Sequence, residues 1–146
     1  MKYASMKKLY KRYVFIIAAL LHLAIVLYIT LIDRIPGGRR CMLTPFWEIR
    51  NVINGTERRF YIGQIIGNLV MLFPTGFLLP TIFKCKRLRW YHVAGSSMFF
   101  SVSIEITQYF TGRGLMEFDD VFNNTVGCLI GYAVYLMIRR RVNNRK

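Results

Sequence analysis

The sequence predicts an all-α membrane protein built as a bundle of four transmembrane helices, and two observations predict it. Four apolar runs divide the chain, each close to the about 20 residues that a helix needs to cross a bilayer. Basic residues gather at the ends of these runs, as they do beside membrane spans. The runs cover residues 13–32, 62–83, 91–110 and 121–138.

The composition supports this fold class. Hydrophobic residues make up 54% of the 146 residues, above the roughly 45–50% of a soluble domain. The length fits one domain, residues 1–146. A net charge of +14 would indicate nucleic-acid binding in a soluble protein, but here the charge flanks apolar runs, so no nucleic-acid partner is predicted. The run lengths disfavour a soluble helical bundle, which is the alternative.

The charge distribution predicts that both termini lie in the cytoplasm. The N-terminal tail, the link between the second and third runs and the C-terminal tail together hold fourteen basic residues and no acidic residue. The other two loops hold seven basic and six acidic residues. Because basic residues concentrate in cytoplasmic loops, we expect a multi-pass protein of the cell membrane, N-in and C-in, with both acidic loops external.

The first run and the loop after it each carry a local prediction. The run resembles a signal peptide but is too long and lacks a small-residue cleavage site, so it is read as a retained anchor, with His22 as a helix-packing residue. Residues 33–61 are too many for a simple turn. The apolar, aromatic middle of this loop predicts a short segment at the outer interface, anchored by Phe46 and Trp47.

Small residues and cysteines complete the pattern. Gly63 and Gly67 in the second run, and Gly127 and Gly131 in the fourth, have the spacing that lets helices approach closely. The cysteines fall outside, inside and within the predicted membrane, so free thiols are predicted for all of them. They are Cys41, Cys85 and Cys128.

Polar side chains from three runs are predicted to meet at one depth. In the third run, Ser97, Ser101, Glu105 and Gln108 lie on one helical face. With the predicted orientation, the polar ends of the second, third and fourth runs all lie in the outer leaflet. Ionisable groups are costly there and usually functional. The candidate catalytic residues are Glu105 and Asp120, and the candidate substrate-binding residues are Asn68, Gln108, Arg113, Asp119 and Asn124.

Other readings of this polar set stay open. The amides and Glu105 can hydrogen-bond one another and hold the bundle together. Asp119 or Asp120 can cap the fourth helix, whose N-terminus favours acidic residues. Glu105, Asp119 and Asp120 without a histidine would suit only weak Mg²⁺ or Ca²⁺ binding, so neither a metal nor a cofactor is predicted.

Four sequence blocks in fixed order resemble the VanZ-like family over residues 43–132. They are LTPF at 43–46, GNLVMLFPTGF at 67–77, IEITQ at 104–108 and DVFNNTVG at 120–127, followed by Gly131 and Tyr132. The resemblance implies a small polytopic protein of the bacterial cell envelope, in a family whose founding member is linked to teicoplanin resistance. It also implies a relation to membrane enzymes that act on lipid head groups. The family signature maps onto Asn68, Pro74, Gly76, Glu105, Gln108, Asp120, Asn124 and Gly127.

Two hypotheses of different classes follow. The first is an envelope protein that binds or modifies a lipid-linked head group at the outer leaflet, with membrane lipids or lipid-linked envelope precursors as partners. The second is a non-catalytic interaction protein that docks through its glycine faces on a membrane protein or a second copy of itself. A small transporter is less expected, because no inverted repeat is visible.

Overall fold

A computed structural model describes residues 2–55, 57–83 and 88–144 of the chain. The predicted thiol of Cys85, the basic residues at 84, 86 and 87, and the last two residues lie outside this range. The described residues form, in order, helix α1 (Lys2–Leu27), a π-helical turn (Tyr28–Ile32), strand β1 (Arg40–Met42), helix α2 (Trp47–Asn54), helix α3 (Arg58–Phe83), helix α4 (Trp90–Thr111), strand β2 (Leu115–Glu117) and helix α5 (Phe118–Asn143).

The four predicted runs are all helical. Three described segments, Arg12–Ile32, Arg58–Phe83 and Phe118–Asn143, are long and apolar enough to cross a membrane. Helix α4 has 22 residues but does not reach the hydropathy of those three. The reason is its polar face, since Ser97, Ser101, Glu105 and Gln108 replace apolar residues there. All four of these side chains are buried by neighbouring parts of the protein.

Helices α3 and α5 form the most extensive contact in the bundle, and glycines make it possible. A Cβ added at Gly127 or Gly131 would overlap a backbone carbonyl oxygen of α3, and one added at Gly76 would overlap a carbonyl oxygen of α5. The two backbones therefore lie against each other with no room for a side chain. The close approach predicted for the fourth run is confirmed, and α3 is its partner.

The glycines of the second run make no such approach within the described part of the chain. No described atom lies within 4 Å of a Cβ built on Gly63 or Gly67, and both residues are exposed. Gly127 and Gly131 already pack against α3, so only Gly63 and Gly67 remain exposed for the partner that the interaction hypothesis requires.

Helix α1 packs on α3, and a histidine marks the contact. His22 Nε2 lies 3.1 Å from Thr75 Oγ1, which confirms the helix-packing reading of His22. Between the helices lies a small core of buried apolar side chains. Its members are Val26, Leu72, Val93, Ile104, Cys128 and Tyr132.

The two loops predicted to be external contain a pair of β-strands, which an all-α prediction misses. Strands β1 and β2 form a short parallel pair, in which Arg40, Cys41 and Met42 face Leu115, Met116 and Glu117. Of the segment predicted to lie at the outer interface, residues 41–42 belong to β1 and Trp47 begins helix α2, which packs on α3. Cys41 and Cys128 are free thiols, as predicted.

Candidate functional site

A cavity of about 760 Å³ lies among α1, the π-helical turn, α3, α4 and the start of α5. One part of its wall is apolar and includes Ile25, Ile29, Ile66 and Val70. The other part carries carboxyl, amide and guanidinium groups. These polar residues are Arg34, Gln64, Asn68, Glu105, Gln108, Glu117 and Asp120.

The two candidate catalytic residues both line this cavity. Glu105 is 2% exposed, and its Oε2 accepts a hydrogen bond from the backbone N–H of Glu117 at 2.8 Å. Asp120 is also buried, and its Oδ1 accepts a hydrogen bond from Asn68 Nδ2. Three of the predicted site residues, one each from α3, α4 and α5, therefore come together as the sequence predicts.

Gln108 adds an unused acceptor to the cavity wall. Its Nε2 donates to the carbonyl oxygen of Thr30 at 2.9 Å, which ties α4 to the π-helical turn. Its Oε1 is buried and has no hydrogen-bond partner in the described part of the chain. Buried polar atoms are normally paired, so Gln108, which lines the cavity, keeps an acceptor that the described residues leave unused.

Asn124 and Arg113 do not line the cavity. Asn124 Nδ2 donates to Ser101 Oγ at 2.9 Å, which joins α5 to α4. Arg113 Nη1 lies 3.3 Å from the carbonyl oxygen of Leu31, at the end of the π-helical turn. These contacts match the alternative in which polar side chains hold the bundle together.

Asp119 holds helix α2 in place. Its two carboxylate oxygens accept hydrogen bonds from the backbone N–H groups of Phe46, at 2.6 Å, and Glu48, at 3.0 Å. Phe46 precedes α2 and has a left-handed backbone with φ of 58°, a conformation that a bulky residue adopts only when its surroundings impose it. Two charge-assisted hydrogen bonds supply that constraint.

The prediction that Asp119 or Asp120 caps α5 through a hydrogen bond is therefore wrong, because Asp119 binds the backbone at the start of α2 instead. Glu117 precedes α5, and no side chain among the described residues caps that helix through a hydrogen bond. Asp119 and Asp120 still lie in the first turn of α5, where the helix dipole favours negative charge.

Two further carboxyl groups complete the site, and neither was a predicted site residue. Glu48 of α2 is fully buried, and its Oε2 accepts a hydrogen bond from Asn123 Nδ2 at 3.0 Å. Glu117 of β2 accepts one from Trp47 Nε1 at 3.0 Å. One oxygen from each of Glu48, Glu117 and Asp120 lies within 4.8 Å of the others. We call these three residues the carboxylate cluster.

Burial and mutual repulsion raise the pKa of the two carboxyl groups of the site that lie outside the membrane spans, Glu48 and Glu117. Burial raises the pKa of Glu48 to about 8, the charges of Asp120, Glu117 and Asp119 add to the effect, and the Asn123 hydrogen bond opposes it. Burial, followed by the charge of Asp120, raises the pKa of Glu117 to about 7. Groups that exchange protons near neutral pH suit general acid or base chemistry.

Weak sequence signals marked the missed residues. Glu48 is the one acid in the aromatic segment 41–49, and Glu117 opens the acidic loop EFDD at 117–120. Arg34, whose positive charge acts on Glu117 within the site, looks in the sequence like any other loop arginine. Their shared location depends on how α2 and the strands fold over the bundle, which no local pattern specifies.

Long apolar helices around buried carboxyl and amide groups define an integral membrane protein with an internal polar site. The family model described as VanZ/LLP1 matches residues 13–139, and the chain belongs to this family. It is 28% identical over 108 residues to Protein VanZ from Enterococcus faecium, an alignment that covers 74% of this chain and 60% of that protein. The chain thus spans less than two thirds of that relative's length. No solved structure matches the chain.

Proposed function

We propose that all four long helices cross the membrane, with both termini in the cytoplasm. Helix α4, with 22 residues, has a length of about 33 Å at 1.5 Å per residue, enough for a hydrocarbon core of about 30 Å. Its low hydropathy does not oppose this, because its buried polar side chains face protein rather than lipid. The basic residues of both tails and of the link between the second and third runs support this orientation.

In this orientation the cavity lies in the outer leaflet, and we propose that it binds or modifies the head group of a lipid or lipid-linked envelope precursor. The observation that carries the proposal is the mixed lining of the cavity. Carboxyl and amide acceptors suit the amine and hydroxyl donors of a head group, and Arg34 suits a phosphate. Arg34 lines the cavity in place of Arg113, the predicted substrate-binding arginine, whose guanidinium donates to backbone carbonyl oxygens instead.

A second cavity supports an amphiphilic ligand. It has a volume of about 420 Å³, and its lining is almost wholly apolar, with Leu20, Leu79 and Phe100 among the residues. His22 and Val26 line both cavities, so the polar and apolar spaces adjoin. A lipid has this division, with a polar head and an acyl chain that gains free energy in an apolar groove.

Two carboxyl groups are placed to act on a bound head group. Glu105 and Asp120 line the same cavity, come from different helices and are held by separate donors. Such a pair suits proton transfer, with one group as acid and the other as base. We propose that this chemistry, or binding alone, lowers susceptibility to teicoplanin, the phenotype that the family resemblance implies.

The test is a pair of isosteric substitutions, Glu105→Gln and Asp120→Asn. We expect both variants to insert and accumulate normally, and to return teicoplanin susceptibility and the lipid profile to those of cells without the protein. Glu57→Gln and Asp33→Asn are the matched controls, because both acids are exposed and outside the cavity lining. Wild-type behaviour of both cavity variants in both assays would show that the cavity has no such function.

A further inference from the structure

Three carboxylates from distant parts of the chain meet in the carboxylate cluster. Glu48 comes from α2, Glu117 from β2 and Asp120 from α5, and all are at least nine-tenths buried. Their nearest oxygens lie within 4.8 Å of one another. Like charges at this separation repel in a medium of low polarity, and a bound cation would relieve that repulsion in addition to the charge of Arg34 that acts on Glu117.

One oxygen of the cluster lacks any partner among the described residues. Glu48 Oε2 accepts the Asn123 hydrogen bond, but Glu48 Oε1 is buried without a donor. The charges that act on Glu48 are the negative charges of Asp120, Glu117 and Asp119, and no positive side chain in the described part of the chain opposes them. A fully buried carboxylate oxygen without a donor is rare, and a bound cation would supply the partner that Glu48 Oε1 lacks.

The cluster is also held in position by groups that leave oxygens free. Trp47 Nε1 binds one oxygen of Glu117, and Asn68 Nδ2 binds one oxygen of Asp120. Asp119 fixes the backbone N–H of Glu48. Each carboxylate therefore has one oxygen engaged by a positioning donor and a second oxygen with no donor among the described residues, which is how oxygen ligands of a bound ion are commonly supported.

We propose that Glu48, Glu117 and Asp120 bind a hard divalent cation. Oxygens on opposite sides of Ca²⁺ are at most about 5.2 Å apart at its usual metal–oxygen distances, and other ligand pairs around the ion are closer. The oxygens of the cluster, all within 4.8 Å of one another, therefore fall in the range that the ligands of one cation span.

Three carboxylates fill only part of the six to eight positions around such an ion. The remaining positions are open to water or to a phosphate oxygen of a head group. This last step rests on the proposed function, because it places the ion and the head group in one cavity that Asp120 and Glu117 line.

Direct binding of Mn²⁺ to the full chain tests the inference. The protein is purified into zwitterionic lipid nanodiscs, stripped with EDTA and titrated with Mn²⁺, and free Mn²⁺ is measured by electron paramagnetic resonance. We expect one Mn²⁺ per chain, displaced by Ca²⁺. The absence of stoichiometric Mn²⁺ binding to the folded wild-type chain would overturn the inference, without need of any variant.

Matched variants locate the ion. Glu48→Gln should weaken Mn²⁺ binding by about tenfold or more, because affinity follows ligand charge and support. Glu117→Gln should do the same and serves if Glu48→Gln does not fold. Glu57→Gln, an exposed acid, should leave binding unchanged. Equal binding by wild type and both cluster variants would place the ion elsewhere and overturn the assignment.

The outcomes separate this inference from the proposed function. Mn²⁺ binding that depends on Glu48, together with wild-type teicoplanin susceptibility and a wild-type lipid profile in the Glu105→Gln and Asp120→Asn variants, would keep the cation site and remove the lipid function. No Mn²⁺ binding, together with altered susceptibility in those variants, would keep the function and remove the cation site.

Discussion

Replacing Asp119 by asparagine tests whether this residue positions helix α2. In the structure, one oxygen of Asp119 accepts the Phe46 N–H at 2.6 Å and the other accepts the Glu48 N–H at 3.0 Å. Asparagine keeps one acceptor and places an NH₂ group against the second backbone N–H. We therefore expect Asp119→Asn to release the start of α2 from the bundle while α3 and α5 remain packed.

The magnitude follows from the hydrogen bond that is lost. A hydrogen bond to a charged group contributes about 1.5–3 kcal/mol, so Asp119→Asn should lower the free energy of unfolding by about that amount. Asp119→Ala removes both bonds and should cost about twice as much. The exposed Asp33→Asn serves as the control, and it should change stability by less than about 0.5 kcal/mol.

The assay combines unfolding with a local reporter. Trp47 begins α2 and donates its indole N–H to Glu117, so its fluorescence reports the position of the helix. In a Trp90→Phe background, Asp119→Asn should shift Trp47 emission and increase its quenching by iodide. Unchanged stability together with unchanged Trp47 emission would refute the positioning role and return Asp119 to the predicted substrate-binding set.

Three further predictions address packing, pH and charge. Gly131→Ala should destabilise the protein by about 1–3 kcal/mol in the same unfolding assay, because the added methyl overlaps an α3 carbonyl oxygen, whereas Gly63→Ala should be near neutral. The pKa of Glu48 rises from 4.5 to about 8 on folding, so in EDTA the folded state loses stability as pH increases between these values. Glu48→Gln should reduce that loss, leaving the part that comes from Glu117, and equal pH profiles would contradict the assigned burial. Arg34→Gln should raise teicoplanin susceptibility at equal protein accumulation, and Arg113→Gln should raise it less, because only Arg34 lines the cavity. The reverse order would indicate that Arg113, and not Arg34, binds the phosphate.

The helices were predictable because their signals are local. A run of about 20 apolar residues specifies a long helix by itself, and all four runs are helical in the structure. The shared depth of Asn68, Glu105 and Asp120 also followed from the sequence, since alternating chain direction aligns the start of one helix with the end of the next. These three residues line one cavity.

The rest of the site depends on contacts that span most of the chain. Glu48 reaches the cavity region because Asp119, 71 residues later, accepts its backbone N–H. The strand pair likewise joins Arg40 to Leu115 without an alternating pattern that would predict strands. Long-range contacts of this kind leave no local periodicity, so the sequence could show Glu48 only as one acid in an aromatic loop.

Thiol labelling of the cavity wall tests most directly whether the polar site opens to the outside of the cell. In a background with Cys41, Cys85 and Cys128 replaced by alanine, Gln64→Cys places one thiol on the cavity lining. Arg89→Cys places a thiol at the opposite end of the bundle, where α4 begins. We predict that a membrane-impermeant maleimide labels position 64 in intact cells and position 89 only after permeabilisation. Labelling of position 64 only after permeabilisation would place the cavity on the cytoplasmic side and contradict an outer-leaflet site.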